Sequence, residues 1–282
     1  MLNSANPTTK LVRKLVVGFL TAISCSLILY ALWGFISHWL DSSAAKSEYQ
    51  GLREMRSDLM WELMTTQRKT PPVATGPNPA TSMESVTDIT IPSIATEPVT
   101  EPHTVPDYAA ITASLEALGQ ANPDFIAWLL VLNTGIDYPL VQGNDNDHYL
   151  HTTFNGFTNP AGTIFMDFRC RNDFSAPLSL IHGHNMRDGS MFAPLVAYLD
   201  PQFQQAHPDI VILTNQGERL DYQVLEVQYT NAWNRVFSTD YDDYDTVAAL
   251  LYNPPPEGNH LIALATCLQG DDRIVIYAQL VP

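Results

Sequence analysis

A single cysteine near the end of the chain lies between two stretches that are typical of strands. Apolar residues run from Leu261 to Cys267, a short polar turn containing Gly270 follows, and Arg273 begins the second apolar stretch. A thiolate is a strong nucleophile, and a nearby guanidinium favours that ionised form. A free cysteine is more often a small buried apolar residue, so the pattern predicts a catalytic thiol only if a proton-transfer group lies beside it.

A histidine that could transfer protons follows another apolar stretch, Leu180 to His182. Gly183 comes next, and His184 stands where the chain has to leave the strand. Imidazole changes its charge near neutral pH, which suits a general acid and base. His182 and His184 would share one face of an extended strand, so a metal site is an alternative interpretation. Because no third ligand is evident, we expect neither a metal ion nor a cofactor, and we interpret His182 as a structural histidine.

The three cysteines are too few for a disulfide framework and include no Cys-x-x-Cys metal pair. Cys25 falls within an apolar run, and Cys170 stands in a polar loop where we expect an incidental thiol. A disulfide between Cys170 and Cys267 remains the alternative, and it would exclude Cys267 as a nucleophile.

The charge of the chain is strongly acidic and unevenly distributed. There are 30 acidic and 14 basic residues, which give a formal net charge of −16, and every acidic residue follows Leu40. Nucleic-acid binding needs clustered Lys and Arg, and the acidic body contains no such cluster. We therefore expect no nucleic-acid partner.

Residues 15–40 are predicted to form a transmembrane helix. They contain no Asp, Glu, Lys or Arg, and as a helix they would extend about 39 Å, more than the roughly 30 Å of a bilayer core. Lys10, Arg13 and Lys14 precede them, so we expect residues 1–14 in the cytoplasm and the rest outside the cell, in a single-pass membrane protein. A signal peptide cleaved near Ala45 is the alternative.

Three further segments follow. Residues 41–69 have apolar residues at three-to-four spacing and predict a helical stalk. Residues 70–106 contain eight prolines and few large apolar residues, which predicts a disordered spacer that gives reach. Residues 107–282 contain many short strand-like stretches separated by turn residues. This last pattern predicts a mainly β domain, a closed or nearly closed barrel with helical insertions near 190–199 and 244–251.

Seven motifs in this domain, in the same order, resemble those of the class B sortases. They are Asp124-Phe-Ile-Ala-Trp-Leu, Ile136-Asp-Tyr-Pro-Leu-Val-Gln, the 145–150 segment, Gly162-Thr-Ile-Phe-Met-Asp, Gly183-His-Asn-Met with Asp188-Gly-Ser-Met-Phe, Ala265-Thr-Cys, and Arg273-Ile-Val-Ile. The resemblance covers roughly residues 108–282. It implies an eight-stranded sortase barrel and places the family's catalytic residues at His184, Cys267 and Arg273.

The resemblance also implies an activity. Sortases are membrane-anchored cysteine transpeptidases of Gram-positive bacteria that cut secreted proteins at a C-terminal sorting motif, form a thioacyl-enzyme, and transfer the protein to an amine of peptidoglycan or of a pilin. This chain differs in two places, since only five residues separate Cys267 from Arg273 and since His182 precedes Gly183. Two other functions stay open: a catalytically silent binding module on the same barrel, and a cysteine peptidase whose acyl-enzyme is resolved by water.

Overall fold

The computed structural model describes residues 7–56, 58–65 and 108–281, and the predicted spacer at 70–106 lies outside these ranges. The helices described are α1 (Pro7–Met55), α2 (Asp58–Thr65), α3 (Tyr108–Ala121), α4 (Pro201–Ala206) and α5 (Tyr244–Ala248). Short 3₁₀ helices cover His148–Leu150, Ala193–Leu199 and Arg235–Ser238. The strands are β1 (Phe125–Val131), β2 (Asp137–Val141), β3 (Ile164–Met166), β4 (Leu178–His182), β5 (Asp209–Thr214), β6 (Arg219–Asn231), β7 (Leu261–Cys267) and β8 (Asp272–Leu280).

The eight strands close into a barrel in the order β1-β2-β3-β4-β7-β8-β6-β5, which confirms the predicted fold. The pairs β2–β3 and β4–β7 are parallel, and the other pairs are antiparallel. Strand β1 is buried along its whole length, because the barrel interior covers one of its faces and neighbouring segments cover the other. The predicted helical insertions are confirmed as the 3₁₀ helix Ala193–Leu199 and as α5.

Pro139 lies inside a strand that pairs on both sides, although proline favours strand edges. It faces Trp128 of β1, while the pairing of β2 with β3 involves only Leu140 and Val141. The missing N–H of Pro139 therefore costs no hydrogen bond to β3.

The apolar N-terminal stretch is helical, as predicted, and α1 continues without a break to Met55. From Leu15 onward this helix is long and apolar enough to cross a membrane by length and composition, and its most apolar window is not buried in the protein. Large apolar side chains of the predicted transmembrane stretch, among them Leu27, Trp33 and Phe35, are exposed.

The segment predicted as a stalk is helical, but it lies on the barrel. Tyr49 and Leu52 of α1 and Met60 and Met64 of α2 are buried, and α1 contacts α3 and β2 while α2 contacts α3 and β5. The apolar residues that indicated a stalk are thus a packing face.

The helices on either side of the predicted spacer contact each other, since α2 packs against α3. The expectation that residues 70–106 form a disordered spacer that gives reach concerns residues outside the described ranges, so it stays a prediction.

Candidate active site

Cys267 and Arg273 face each other across the hairpin formed by β7 and β8. Cys267 is the last residue of β7 and is exposed, and its register partner on β8 is Arg273. Directly opposite residues of an antiparallel pair point to the same face, with Cβ atoms about 4.5–5.5 Å apart. The register therefore places the thiol and the guanidinium on one face of the sheet.

The short turn between the two strands creates this register. The N–H of Leu268 donates to the carbonyl of Asp272 at 2.9 Å, and the N–H of Asp272 donates to the carbonyl of Gln269 at 3.0 Å. Gly270 has a φ of 58°, in the left-handed region that favours glycine. The five-residue separation noted in the sequence is thus the length that brings Arg273 opposite Cys267.

The guanidinium of Arg273 is held by this same turn. Its Nη1 donates to the carbonyls of Gly270 and Asp272, each at 2.9 Å. These two backbone carbonyls hold one end of the guanidinium, and the Arg273 side chain is only half-buried. An arginine retains further N–H donors in this arrangement, which can bind an oxygen of a substrate.

Parallel pairing of β4 with β7 brings the histidine to the cysteine. His182 is the partner of Ala265, and beyond it Gly183 donates its N–H to the carbonyl of Ala265 at 3.3 Å. Thr266 Oγ1 donates to the carbonyl of Gly183 at 2.7 Å. Paired strands lie about 4.8 Å apart, so His184, two residues after His182, emerges beside Cys267, two residues after Ala265.

Gly183 is required by a close aromatic contact. A Cβ built at this position would lie 2.6 Å from the ring of Phe192, which is fully buried. The N–H of Phe192 also donates to the carbonyl of His184 at 2.8 Å. Phe192 therefore fixes the backbone from which His184 projects.

The ring of His184 is oriented by a backbone carbonyl. Its Nε2 lies 2.8 Å from the oxygen of Leu150. A carbonyl oxygen only accepts, so Nε2 carries the proton, and Nδ1 is left to take or give a proton at a reacting atom. His184 itself is half-buried, so its ring is reachable from solvent.

His182 belongs to a different environment from His184. Its Nε2 lies 3.3 Å from Oδ2 of Asp167, and its ring stacks on Phe165 and Phe237 with centroid separations of 5.1 and 6.3 Å. These contacts are those of a structural histidine. Among the residues that the structure describes, no group of three or more His, Cys, Asp or Glu could hold a metal ion.

Asp167 is the buried charge of this region, and sequence reasoning missed its role. It is 1% exposed, and its two oxygens accept from Nε and Nη2 of Arg169 at 2.9 and 2.8 Å. Asn146 Nδ2 donates to Oδ2 at 2.8 Å. Burial alone raises the pKa of Asp167, but the hydrogen bonds from Arg169 and His182 outweigh it and hold the pKa well below its usual range. The signal available in the sequence was an acidic residue directly after an apolar strand.

Arg169 extends this network to the segment between β6 and β7. Its Nη2 also donates to the hydroxyl of Tyr241 at 2.7 Å and to the carbonyl of Phe237 at 3.0 Å. The network thus joins the end of β3 to the end of β4 and to the chain that precedes β7.

The other cysteines are separate from this site. Cys170 is buried, and its Sγ accepts the N–H of Leu180 at 3.3 Å. Burial raises the pKa of this thiol to about 12, so Cys170 stays protonated at neutral pH. Cys25, Cys170 and Cys267 are all free, so the alternative disulfide is not formed in the structure.

Comparisons with known proteins agree with the fold. A sortase domain model matches residues 130–281. Sortase B of Listeria monocytogenes is 34% identical over 187 residues, which are 59% of this chain and 74% of that protein. The structure of sortase B from B. anthracis is 29% identical with a TM-score of 0.54, over 60% of this chain and 84% of that one. A class B sortase of Streptococcus pyogenes involved in pilus biogenesis is 27% identical with a TM-score of 0.55, over 59% of this chain and 97% of that one.

The chain belongs to the sortase family, the cysteine transpeptidases that attach proteins to the cell wall, and these relatives are of its class B.

Proposed function

We propose that this sortase is anchored in the membrane by α1, cleaves a C-terminal sorting motif through a thioacyl-enzyme on Cys267, and transfers the protein to a cell-surface amine. The observation that carries the proposal is that His184, Cys267 and Arg273 stand at adjoining strand ends. The β7–β8 register sets Arg273 opposite Cys267, and the β4–β7 pairing brings His184 alongside.

Acylation follows from these positions. The Cys267 thiolate attacks the carbonyl carbon at the cleavage site of the sorting motif, and the electrons of the carbonyl move onto its oxygen. When the tetrahedral intermediate collapses, the peptide C–N bond breaks, and His184 gives a proton to the departing amine. With Nε2–H held by the carbonyl of Leu150, Nδ1 is the atom that transfers this proton.

Deacylation reverses these roles. An incoming amine gives its proton to His184 and attacks the thioester, and Cys267 leaves as thiolate. A new amide bond replaces the C–S bond, so the cycle is balanced and needs no cofactor or metal.

Arg273 is assigned to the developing negative charge. Its guanidinium lies on the face of Cys267 and is oriented by two turn carbonyls. Its remaining N–H groups can donate to the oxyanion or to a substrate carbonyl. Loss of one such donor lowers kcat by about 10²–10³-fold, so Arg273→Lys, which loses the fork, is expected to lower kcat within that range.

The acceptor is proposed to be an amine of peptidoglycan or of a pilin. Support for the pilin alternative is the similarity to the Streptococcus pyogenes enzyme, which is involved in pilus biogenesis. The proposed orientation rests on Lys10, Arg13 and Lys14 before the apolar helix, which favour a cytoplasmic N-terminus and a barrel outside the cell.

The test is a transpeptidation assay on the full chain in detergent. The protein is incubated with a panel of sorting-motif peptides and with oligoglycine or lysine-containing acceptors, and products and acyl-enzyme are identified by mass. Cys267→Ala is expected to abolish turnover and the acyl adduct. Cys170→Ala is the matched control and should retain both, because its thiol is buried away from the site.

The same assay separates the alternative functions. If water hydrolyses the acyl-enzyme and no acceptor amine gives a transfer product, the chain is a peptidase. Binding without cleavage would make it a silent module, and turnover by Cys267→Ala would refute the assignment of the nucleophile.

A further inference from the structure

One face of α1, beyond its apolar stretch, carries polar side chains that reach the barrel. Ser42, Lys46, Tyr49 and Arg53 follow one another at intervals of three or four residues, which places them on the same face of a helix. Each makes a hydrogen bond or an ion pair with the catalytic domain. Arg53 contacts Asp137 of β2, whereas the contacts of Ser42, Lys46 and Tyr49 fall on two segments that also hold His184.

The first segment is the connection between β2 and β3. Tyr49 is 4% exposed, and its hydroxyl donates to the carbonyl of Gly162 at 2.5 Å. Gly162 lies against the preceding 3₁₀ helix so closely that an added Cβ would be 2.4 Å from the oxygen of Tyr149 and 2.8 Å from that of Leu150. The oxygen of Leu150 is the acceptor for Nε2 of His184. Tyr49 therefore supports, through one glycine, the carbonyl that orients the imidazole.

The second segment is the loop that starts at His184 and ends at Phe192. Asp188 in this loop accepts from Ser42 Oγ at 2.5 Å and pairs with Lys46 Nζ at 3.1 Å. The same carboxylate accepts from the N–H and the hydroxyl of Ser190 at 3.1 and 2.6 Å, which closes the loop. Partial burial raises the pKa of Asp188, but the hydrogen bonds from Ser190 and Ser42 outweigh it and hold the pKa well below its usual range. Asp188 is thus an ionised anchor for α1 at neutral pH.

The two segments meet at an aromatic pair. Tyr49 packs edge-on against Tyr138 with ring centroids 5.3 Å apart. The hydroxyl of Tyr138 accepts the N–H of Met191, the residue before Phe192, at 3.1 Å. Tyr49 is therefore in contact with both supports of His184, one through its hydroxyl and one through its ring.

We propose that residues 42–53 of α1 are a positioning element of the active site, in which Tyr49 and Lys46 hold the two segments that orient His184. The helix that anchors the chain and the histidine that transfers the proton are then parts of one rigid assembly. This inference rests on the role given to His184 in the proposed function.

A pair of tyrosines provides a controlled test on the full chain in detergent. Tyr49→Phe removes only the hydroxyl that binds Gly162. Tyr198→Phe removes the hydroxyl of another buried tyrosine, which donates to the carbonyl of His207 at 2.7 Å outside the site. A lost hydrogen bond between neutral groups predicts that Tyr49→Phe lowers kcat by about two- to tenfold. KM should stay unchanged, because His184 acts on the reacting bond. Tyr198→Phe should retain the wild-type kcat.

A second readout does not depend on turnover. In ¹⁵N-histidine-labelled protein, the Nε2–H signal of His184 should be protected from solvent exchange in the wild type and in Tyr198→Phe. It should exchange faster in Tyr49→Phe and in Lys46→Met, a second variant that stays informative if Tyr49→Phe fails to fold.

The outcomes separate this inference from the function on which it rests. If both tyrosine variants match the wild type in kcat and in the His184 signal, or if both fall equally, α1 does not position the histidine and the inference is refuted. If the wild type turns over no sorting-motif peptide, the proposed function fails, while the exchange measurement still decides whether α1 orients the ring.

Discussion

Replacing Asp167 by Asn should destabilise the fold strongly. Asp167 is 1% exposed and binds Arg169 through both oxygens. Asn keeps the shape but can offer only one acceptor, and its NH₂ would face the donors of Arg169, His182 and Asn146. The substitution therefore leaves part of a buried cation unpaired.

The structure sets the size of this effect. Removing one partner of a fully buried ion pair costs about 3–5 kcal/mol. The side chain of Arg169 is 34% exposed, so water can replace part of what is lost, and we expect the free energy of unfolding to fall by about 2–3 kcal/mol. Asp242 provides the control, because its pair with Arg171 at 3.1 Å is exposed on both sides. Asp242→Asn should cost at most about 1 kcal/mol.

The pH dependence has a definite sign. Since the pKa of folded Asp167 lies below its usual range, the unfolded chain takes up the proton first as the pH falls below about 5. The stability that Asp167 supplies is complete above the unfolded pKa and is lost as the pH falls toward the folded one. With an unfolded pKa of about 3.9, the wild type should lose about 1.3 kcal/mol more than Asp167→Asn between pH 7 and pH 3.

The assay is urea unfolding followed by tryptophan fluorescence at several pH values, with circular dichroism to verify native structure. A free energy of unfolding for Asp167→Asn within 0.5 kcal/mol of the wild type at pH 7, a tolerance of about half the cost of an ordinary hydrogen bond, would refute the account of the network. The predicted pH dependence would be refuted if the difference in free energy of unfolding between the wild type and Asp167→Asn became larger as the pH falls.

Two further predictions concern the ends of β4 and β7. Gly183→Ala should destabilise the fold by about 1–3 kcal/mol and abolish turnover, since the new methyl group overlaps a buried ring. Gly135→Ala is the control and should be tolerated, because its Cβ would have an ordinary 3.7 Å contact. Equal urea midpoints of unfolding for the two variants would contradict this reasoning. A thiol reagent applied to the folded chain should label Cys267 quickly and Cys170 only after denaturation, because Cys170 is buried with its pKa raised to about 12. The labelled cysteines are identified by peptide mass. Rapid labelling of Cys170 in the native protein would contradict this prediction.

The barrel was predictable because its strands are marked locally. Short apolar stretches that end at turn residues were sufficient to predict a mainly β closed fold, and the structure confirms it. The order of the strands was not predictable from these signals, because β4 pairs with β7 and β6 with β8 through contacts between distant parts of the chain.

The three site residues were named from strand ends and from the family motifs, and their roles stay predictions. What the sequence left open was how a five-residue gap could place Arg273 near the thiol. The structure supplies the register, with Arg273 directly opposite Cys267. Register depends on the turn conformation at Gly270, which the sequence only marks as a turn.

The support around the site was missed for a physical reason. Tyr49 and Leu52 were interpreted as the apolar stripe of a stalk, because periodicity shows that a helix has a packing face but not what covers it. Asp167 and His182 are 15 positions apart and meet only after β3 pairs with β4. No local pattern could have joined them.

The parallel pairing of β4 with β7 has a consequence for how the protein matures. Thr266 and Gly183, which bond beside the site, are 83 positions apart in the chain. Pairings of such high sequence separation form slowly, since a long loop has to close first. A molecule in which β4 and β7 have not yet paired therefore has Cys267 and His184 apart, and the proposed site forms only when these two strands join.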